Sequence, residues 1–327
     1  MANSRVNPDL LKQILTLRYS PTTKSKIPKL SWKDFTQKPQ NNSIEFIEKT
    51  IENNIKKNVQ NKASISLSGG IDSTLVLHFL KKARPDASIK AILVRFEQSN
   101  DETKTASRIA EKFDVDYDVL YIKNYLLELP RAISIVKLPL WDLHWYYVAK
   151  KASKFSKVIV SGDGGDELFG GYTFRYEKFL SLVGKKTSTQ QKIQAYLECH
   201  QRDWVPDQEK IFDSKAKFSW NEIYALFKPY FRNSLNPMLQ VFLADFNGKL
   251  RHNFSIVSDT INSHFKLTTV APLLSPELIR YATHIPLDLK YTKKSNLGKL
   301  LLRQILAKEK IENLISDRKS TRLNSSH

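Results

Sequence analysis

The chain has 327 residues and a formal net charge of +19, with 41% apolar and 11% aromatic residues. This length and apolar content allow a large core, which excludes a disordered chain and a small disulfide-stabilised domain. No stretch approaches the roughly 18 apolar residues of a membrane span, and MANSRVNPDLLKQ lacks the apolar stretch of a secretory signal. We therefore expect a cytoplasmic protein with no membrane partner.

Cysteine content and charge pattern narrow the classes further. Cys199 is the only cysteine, so the chain cannot form an internal disulfide or a thiolate metal cluster, and we expect a packed thiol there. The net positive charge alone is compatible with a nucleic-acid partner, with an anionic substrate, or with an organism whose proteins are generally basic. Because lysines and arginines are scattered without a dense block, we interpret them mainly as solvated faces and predict no nucleic-acid partner.

The first segments differ sharply in pattern. Residues 1–42 are dotted with proline and serine and are interpreted as an extended arm or linker. The next stretch, SIEFIEKTIENNIKKNV, predicts a helix because apolar side chains recur on one stripe. The members of that stripe are Ile44, Ile47, Ile51, Ile55 and Val59.

Strands and helices then alternate through residues 43–172. The predicted order is a strand at Ser64–Leu67, a helix at Asp72–Lys82, a strand at Lys90–Phe96, the helix NDETKTASRIAEKF, the strand DYDVLYI, the helix LPLWDLHWYYVAKKASKF and a strand at Ser156–Gly162. Strict alternation predicts an α/β core with a parallel, doubly wound sheet covered by helices on both faces.

The alternation stops after Tyr172. Residues 173–316 are predicted to be mainly helical, as in NPMLQVFLADFNGKL, SPELIRYATHI and NLGKLLLRQILAKEK, and to lie against the carboxyl edge of the sheet. Residues 317–327, DRKSTRLNSSH, show no apolar period and resemble a translated sequencing adapter. We expect them to be a non-native tail, with a natural chain that continues past Ser316.

A glycine turn, SGGIDS, follows the first strand and leads straight into a helix. Gly69 and Gly70 allow backbone N–H groups to approach an anion, and the helix amino end adds positive potential. Ser68 and Ser73 offer hydroxyls to phosphate oxygens. A carboxylate at Asp72 would repel phosphates unless a cation lay between them, and Mg²⁺ is the natural choice. A turn with a good cap is the alternative interpretation.

A second, acidic loop, SGDGGDELFGGY, follows the fourth strand at residues 161–172. It concentrates carboxylates and glycines at a predicted carboxyl edge in an otherwise cationic chain. An acidic surface turn is the alternative, but this placement beside the first loop favours a metal or proton-transfer role.

The two loops together carry a family resemblance. SGGIDS resembles the PP-loop of the N-type ATP pyrophosphatases, and SGDGGDELFGGY resembles the signature loop of the synthetase domain of the asparagine synthetase family, with likeness extending over residues 14–316. The resemblance implies a five-stranded PP-loop sheet, ATP and Mg²⁺ as cofactors, and a ligase of asparagine biosynthesis that adenylylates a carboxylate, aspartate in the family, and releases pyrophosphate.

The same resemblance implies roles for individual residues. Asp72 and Asp166 would hold Mg²⁺, Asp163 would handle the proton of the incoming amine, and Lys299 in KLLLR would stabilise the transferring phosphate. Without the family register, Lys299 would be interpreted as a solvated helix face. The residues implied for ATP binding are Leu67, Ser68, Gly69, Gly70, Asp72, Ser73, Val94, Ser161 and Gly162.

Two departures from the family pattern change the expectations. Position 2 is alanine and only about sixty residues precede the PP-loop, so we expect no glutaminase domain and a need for ammonia, a separate glutaminase subunit or another amine. Where the family has DRxSMAxxxExRxPFLD, this chain has DTINSHFKLTTVAPLLS, with Thr260, Thr268 and Val270 in place of charged residues. Strict aspartate specificity is therefore in doubt.

Three hypotheses follow. The leading one is an asparagine synthase-type ligase acting on a small carboxylate and ammonia or another amine, with a homodimer as an open alternative to a monomer. The second keeps the adenylylating chemistry but acts on tRNA. The third is a degenerate, non-catalytic synthetase subunit.

Overall fold

The computed structural model describes residues 7–36, 43–97, 103–138, 144–200 and 208–315. Its strands within these ranges are β1 (Lys62–Ser66), β2 (Ser88–Phe96), β3 (Asp116–Ile122), β4 (Val158–Val160), β5 (Thr268–Val270), β6 (Tyr291–Thr292) and β7 (Leu297–Gly298). Its α-helices there are α1 (Pro8–Leu17), α2 (Ser43–Asn58), α3 (Ile71–Ala83), α4 (Thr103–Lys112), α5 (Leu129–Val136), α6 (His144–Ala152), α7 (Gly165–Phe169), α8 (Thr173–Leu182), α9 (Thr189–Cys199), α10 (Gln208–Ile211), α11 (Trp220–Phe231), α12 (Pro237–Asp245), α13 (Ser255–His264), α14 (Pro276–His284) and α15 (Leu300–Lys308). A π-helix, Phe246–Phe254, joins α12 to α13.

The main sheet has the strand order β3-β2-β1-β4-β5, and all of its neighbouring strands are parallel. The predicted doubly wound α/β core with five strands is confirmed. After β1 the chain adds β2 on one side, whereas β4 lies on the other side, so the direction of winding switches between β1 and β4. Ligands of open parallel sheets bind at such a switch point, beyond the carboxyl ends of the strands.

Both faces of the sheet are buried, as the alternating side chains of β2 illustrate. Ile92 packs in a core with Tyr146, on α6, and Ile261, on α13. Its neighbour Leu93 points to the opposite face and belongs to the core formed with α2 and α3. Helices therefore cover both faces of the central strands, whereas Tyr117, Val119 and Tyr121 on the edge strand β3 stay partly exposed.

The predicted apolar stripe of α2 lies inward. The side chains of Ile47, Ile51, Ile55 and Val59 have no exposed surface, and α2 packs on α3 and α15. Helix α2 thereby packs against both α3, which follows β1, and α15.

The sequence prediction for residues 1–42 is corrected in part. Residues 8–17 form α1, which Asn7 caps by accepting from the N–H groups of Asp9 and Leu10. The following chain is extended but anchored, because the side chain of Asn247 bonds both the N–H and the carbonyl of Leu30. The described part of this segment is thus packed against the helical half. Its proline- and serine-rich composition belongs to an extended backbone that the Asn247 side chain holds in place.

The region after Tyr172 is mainly helical, as predicted, but its described part also contains the short strands β5, β6 and β7. β5 returns from it to the sheet and pairs with β4, with Thr269 opposite Ile159. The segment Thr268–Val270 contains two threonines and one valine, so it lacks the continuous apolar run that predicts the equally short β4. Two predictions concern residues outside the described ranges. These residues are the tail at 317–327 and part of the arm. None of the helices in the described ranges has the length and apolarity needed to cross a bilayer.

Candidate active site

The first glycine turn connects β1 to α3 at the carboxyl edge. Gly69 has a left-handed φ of +72°, and a side chain there would press on Thr105 and on the backbone of Ala106. The hydroxyls of Ser68 and Ser73 lie 3.2 Å apart across the turn. Since α3 has no side-chain cap at Gly70, the amino end of this helix faces the turn with its N–H groups directed outward, which is suited to an anion.

The second glycine loop leaves β4 and enters the short helix α7. Gly164 and Gly170, at either end of α7, have left-handed φ values of +94° and +79°. A side chain at Gly165 would overlap the carboxylate of Asp72, and one at Gly162 would lie 2.8 Å from the Asp72 backbone. The glycines therefore let the two loops touch, and they form one site.

Three charged side chains meet where the loops touch. The ammonium of Lys299 contacts the carboxylate of Asp72 and lies 2.7 Å from Oδ1 of Asp166. Lys299 and Asp72 are only 11% and 16% exposed, so little water screens this cluster. Burial would lower the pKa of Lys299, but Asp166 and Asp72 more than offset that effect and hold the pKa above its ordinary value. Lys299 is therefore a permanent cation between two carboxylates.

The backbone fixes Lys299 in place. It has a left-handed φ of 57° between β7 and α15, and its N–H donates to the carbonyl of Phe169, at the end of α7, over 3.0 Å. A lysine in this conformation costs about 1 kcal/mol or more, which is typical of functional positions. Lys299 precedes α15, and its side chain turns toward the loops, so the alternative interpretation of this lysine as a solvated helix face does not fit.

The donor set suits Mg²⁺. Asp72 and Asp166 are hard oxygen ligands that already share one cation, the Lys299 ammonium. No group of three metal-binding side chains occurs in the described ranges. Mg²⁺ commonly binds through one or two carboxylates together with substrate phosphates, so a two-carboxylate site facing an anion cradle fits this ion.

Asp163 lies on the other side of the second loop. Ser161 Oγ donates to its Oδ2 over 2.9 Å. Burial raises the pKa of Asp163, the Ser161 hydrogen bond opposes that rise, and the negative charges of Asp166 and Asp259 add to it. A carboxylate with a raised pKa is a stronger base, which is the property needed to accept a proton from an amine.

The other residues implied for ATP binding lie along the ends of three neighbouring strands. Leu67 follows β1 and donates its N–H to the carbonyl of Ile92 on β2, which also contains Val94. Ser161 follows β4, donates its N–H to the carbonyl of Val270, and precedes Gly162. The structure thus brings all the residues implied for ATP to one edge, although their roles stay predictions.

Sequence reasoning missed a second carboxylate contact in the acidic loop. Tyr172 donates to Oε1 of Glu167 over 2.5 Å, and burial together with the charge of Asp166 raises the pKa of Glu167 to about 8. The guanidinium of Arg175 lies 4.2 Å from the Tyr172 ring centre. Both Glu167 and Tyr172 stand in the quoted loop, but nothing in the spacing indicated that they would pair.

A cavity of about 310 Å³ opens beside Asp163. The segments that form it come from the arm, α2, the π-helix, α13 and the region from β5 to α14. Its lining residues are Lys26, Ile27, Pro28, Asn54, Asn58, Asp163, Leu250, Phe254, Ser255, Ser258, Asp259, Thr269, Val270, Ala271, Leu274, Ser275, Pro276 and Ile279. Of the three positions where charges were expected, only Val270 lines it.

Comparison with known proteins agrees with these features. The sequence model of the asparagine synthase family matches residues 47–323. A putative glutamine-hydrolysing asparagine synthetase from Mycobacterium bovis is 24% identical over 93% of this chain and 50% of its own length. A glutamine-hydrolysing asparagine synthetase from Bacillus subtilis is 38% identical over 36% of this chain and 19% of its own length.

Among solved structures, the ammonia-dependent NAD synthetase from Campylobacter jejuni is 19% identical, with a TM-score of 0.32 over 63% of this chain and 97% of that one. The chain spans about half the length, or less, of the curated relatives described above.

Proposed function

Because the chain belongs to the asparagine synthase family, we propose that it activates a carboxylate with ATP, releases pyrophosphate and transfers the acyl group to ammonia or another amine. An ATP-dependent amidating ligase is the family-level activity. Aspartate as the carboxylate and ammonia as the nitrogen source are the finer parts of the proposal.

The observation that carries the proposal is the meeting of Asp72, Asp166 and Lys299 beside the glycine turn. Phosphoryl-type transfer depends on positioning and charge neutralisation more than on covalent help from the protein. A cradle of backbone N–H groups, two carboxylates for a metal ion and one buried ammonium provide both.

In the first half-reaction, the triphosphate lies against the N–H groups of the first turn. An oxygen of the substrate carboxylate attacks the α-phosphorus, an acyl-adenylate forms and pyrophosphate leaves. The Lys299 ammonium stabilises the charge that develops on the α-phosphate and on the departing pyrophosphate. Mg²⁺, when held by Asp72 and Asp166, supplies further neutralisation of the pyrophosphate charge.

In the second half-reaction, the amine nitrogen attacks the acyl carbon and the bond from that carbon to the AMP oxygen breaks. Asp163 accepts the proton that the nitrogen loses as the amide forms. The loop geometry separates the two tasks, because Asp166 faces Lys299 whereas Asp163 borders the cavity.

The test is exchange of labelled pyrophosphate into ATP, which needs the carboxylate and Mg²⁺ but no amine. Aspartate is tried first, followed by a panel of other small carboxylates, with Asp166→Ala as the blank. We expect at least one carboxylate to support exchange in the unmodified protein and none in the variant. Absence of exchange with every carboxylate, in protein that binds ATP, would contradict the proposal.

A further inference from the structure

The cavity beside Asp163 is too large for ammonia. Its volume of about 310 Å³ contrasts with about 30 Å³ for a molecule the size of water in the liquid. The cavity therefore has room for an organic molecule of several heavy atoms, and the chemistry of its walls decides between an acid and an amine.

The walls of the cavity are partly apolar and partly hydroxylic. Apolar side chains come from the arm, the π-helix, α14 and the region from β5 to α14, and serine hydroxyls come from α13 and from the cap of α14. The apolar members are Ile27, Leu250, Phe254, Val270, Leu274 and Ile279. Such walls suit a short aliphatic chain, which would bury its methylene groups against them.

The charges in the wall favour a cation. Asp163 and Asp259 are both carboxylates, and each contributes to the field felt by the other. Among the described residues that line the cavity, Lys26 is the sole cationic side chain. An anionic guest would face two like charges, whereas an ammonium would face two opposite ones.

Lys26 shows where an ammonium binds. Its Nζ lies 3.3 Å from Oδ2 of Asp259, and its side chain is 82% exposed, whereas that of Asp259 is 30% exposed. The adjacent backbone is fixed, since Arg251 Nε donates to the carbonyl of Ile27 over 2.9 Å. An exposed ion pair of this kind contributes little to stability, so a ligand ammonium in the cavity can displace the lysine from Asp259.

We propose that this cavity binds an aliphatic amine with a second positive charge, one nitrogen beside Asp163 and the other at Asp259. In this assignment, which rests on the function proposed above, the amine is the nucleophile in place of ammonia. The nitrogen beside Asp163 first loses one proton to solvent and becomes a neutral amine with a free electron pair. That pair forms the bond to the acyl carbon as the bond from this carbon to the AMP oxygen breaks, and the nitrogen then gives its second proton to Asp163. The other nitrogen stays charged and holds the molecule at Asp259.

The binding test is calorimetric titration of the full chain with putrescine, without nucleotide. Butylamine lacks the second charge, and glutarate reverses both charges. Asp259→Asn removes the anchor at nearly constant shape, and Asp86→Asn, an exposed acid before β2 at the opposite edge of the sheet, is the charge-matched control. We expect putrescine to bind, and Asp259→Asn to weaken it by about tenfold, or about 1.4 kcal/mol. Asp86→Asn should leave it unchanged.

Three outcomes would overturn the proposal: no binding of putrescine, tighter binding of glutarate, or equal affinity in Asp259→Asn. Unchanged thermal unfolding of Asp259→Asn shows that the variant folds, and binding of ATP by the same variant gives a second check. If Asp259→Asn does not fold, the comparison of putrescine with butylamine and glutarate decides, because it uses only the unmodified chain.

The activity test separates this proposal from the function on which it rests. With a carboxylate that supports pyrophosphate exchange, AMP release is measured with ammonia, butylamine and putrescine. We expect putrescine to act at a KM about tenfold or more below that of ammonia, with the advantage lost in Asp259→Asn. Equal KM values for the three amines would overturn the amine assignment, whereas absent exchange together with putrescine binding would overturn only the ligase proposal.

Discussion

The two sides of the candidate site are built differently. On the phosphate side, Asp72, Asp166 and Lys299 neutralise one another within hydrogen-bonding distance, and glycines allow the loops to touch. On the acceptor side, Asp163 and Asp259 line an open cavity, and the exposed Lys26 pairs with Asp259. Under the proposed function, the groups that contact the triphosphate are held together by direct contacts. The charges on the acceptor side can therefore change without moving Asp72, Asp166 or Lys299.

The largest effect is expected on the phosphate side, from Lys299→Ala. Removing the ammonium leaves the carboxylates of Asp72 and Asp166 without their shared cation and, under the proposed mechanism, leaves the α-phosphate without its stabiliser. Pyrophosphate exchange should fall by about a thousandfold. Lys294→Ala, an exposed lysine on the preceding turn, is the control and should exchange normally. If pyrophosphate exchange fell by less than about tenfold, Lys299 would not act on the reacting atoms.

Asp163→Asn should separate the two sides most clearly. The amide cannot accept a proton, so amide formation should fall by about a hundredfold or more, while the exchange reaction, which precedes amine attack, changes far less. Parallel assays of exchange and of AMP release measure the two steps. Equal loss in both assays would show that Asp163 serves the phosphate side instead.

Gly171→Ala tests how closely the phosphate side is fitted. The added methyl group would overlap the carboxylate of Asp166 and the side chain of Lys299, so both must move. Displacements of about 1 Å can cost about a hundredfold in rate, and we expect a loss of that size in exchange. Gly184→Ala, which meets nothing within 4 Å, is the matched control. Similar exchange in the two variants would contradict the observed geometry.

The smallest effect concerns Lys290, a buried lysine that contrasts with Lys299. Its Nζ donates to the carbonyl of Ala282 and lies 5.5 Å from the ring of Phe242, and burial lowers its pKa to about 7. Unfolded lysine keeps its proton up to a pH of about 10.4, so between these values the unfolded chain binds more protons. Stability should therefore rise with pH across that window.

Lys290→Met removes this dependence. Urea denaturation at pH 7 and pH 9 should show the unmodified chain gaining stability relative to the variant by up to about 1.4 kcal/mol per pH unit. A gap between the two proteins that stays constant with pH would show that Lys290 keeps its proton in the folded state.

The phosphate side was largely predictable from the sequence. Apolar strands followed by SGGIDS and SGDGGDELFGGY predict a parallel sheet, and the carboxyl ends of neighbouring parallel strands lie together, so Asp72 and Asp166 had to be close. Lys299 was found only through its family register. Its left-handed backbone, which turns the side chain toward the loops, is set by the hydrogen bond to Phe169, a contact that no local pattern encodes.

The acceptor side was not predictable in the same way. Its charged pair joins Lys26 to Asp259 across most of the chain, and the arm that positions Lys26 is fixed by Asn247 and Arg251 of the π-helix. β5 is not predicted because two of its three residues are threonines and no apolar run marks it. These features depend on long-range packing, which residue spacing does not report.

We propose that Asp72 and Asp166 together hold the metal ion that binds the triphosphate. Calorimetric titration with a non-cleavable ATP analogue, in the presence and absence of Mg²⁺, tests it on the unmodified chain, Asp72→Asn, Asp166→Asn and the double variant. If the two carboxylates share one ion, each single change should abolish most of the gain in affinity that Mg²⁺ provides, and the double change should cost little more than one. Equal dependence on Mg²⁺ in all four proteins would contradict the account.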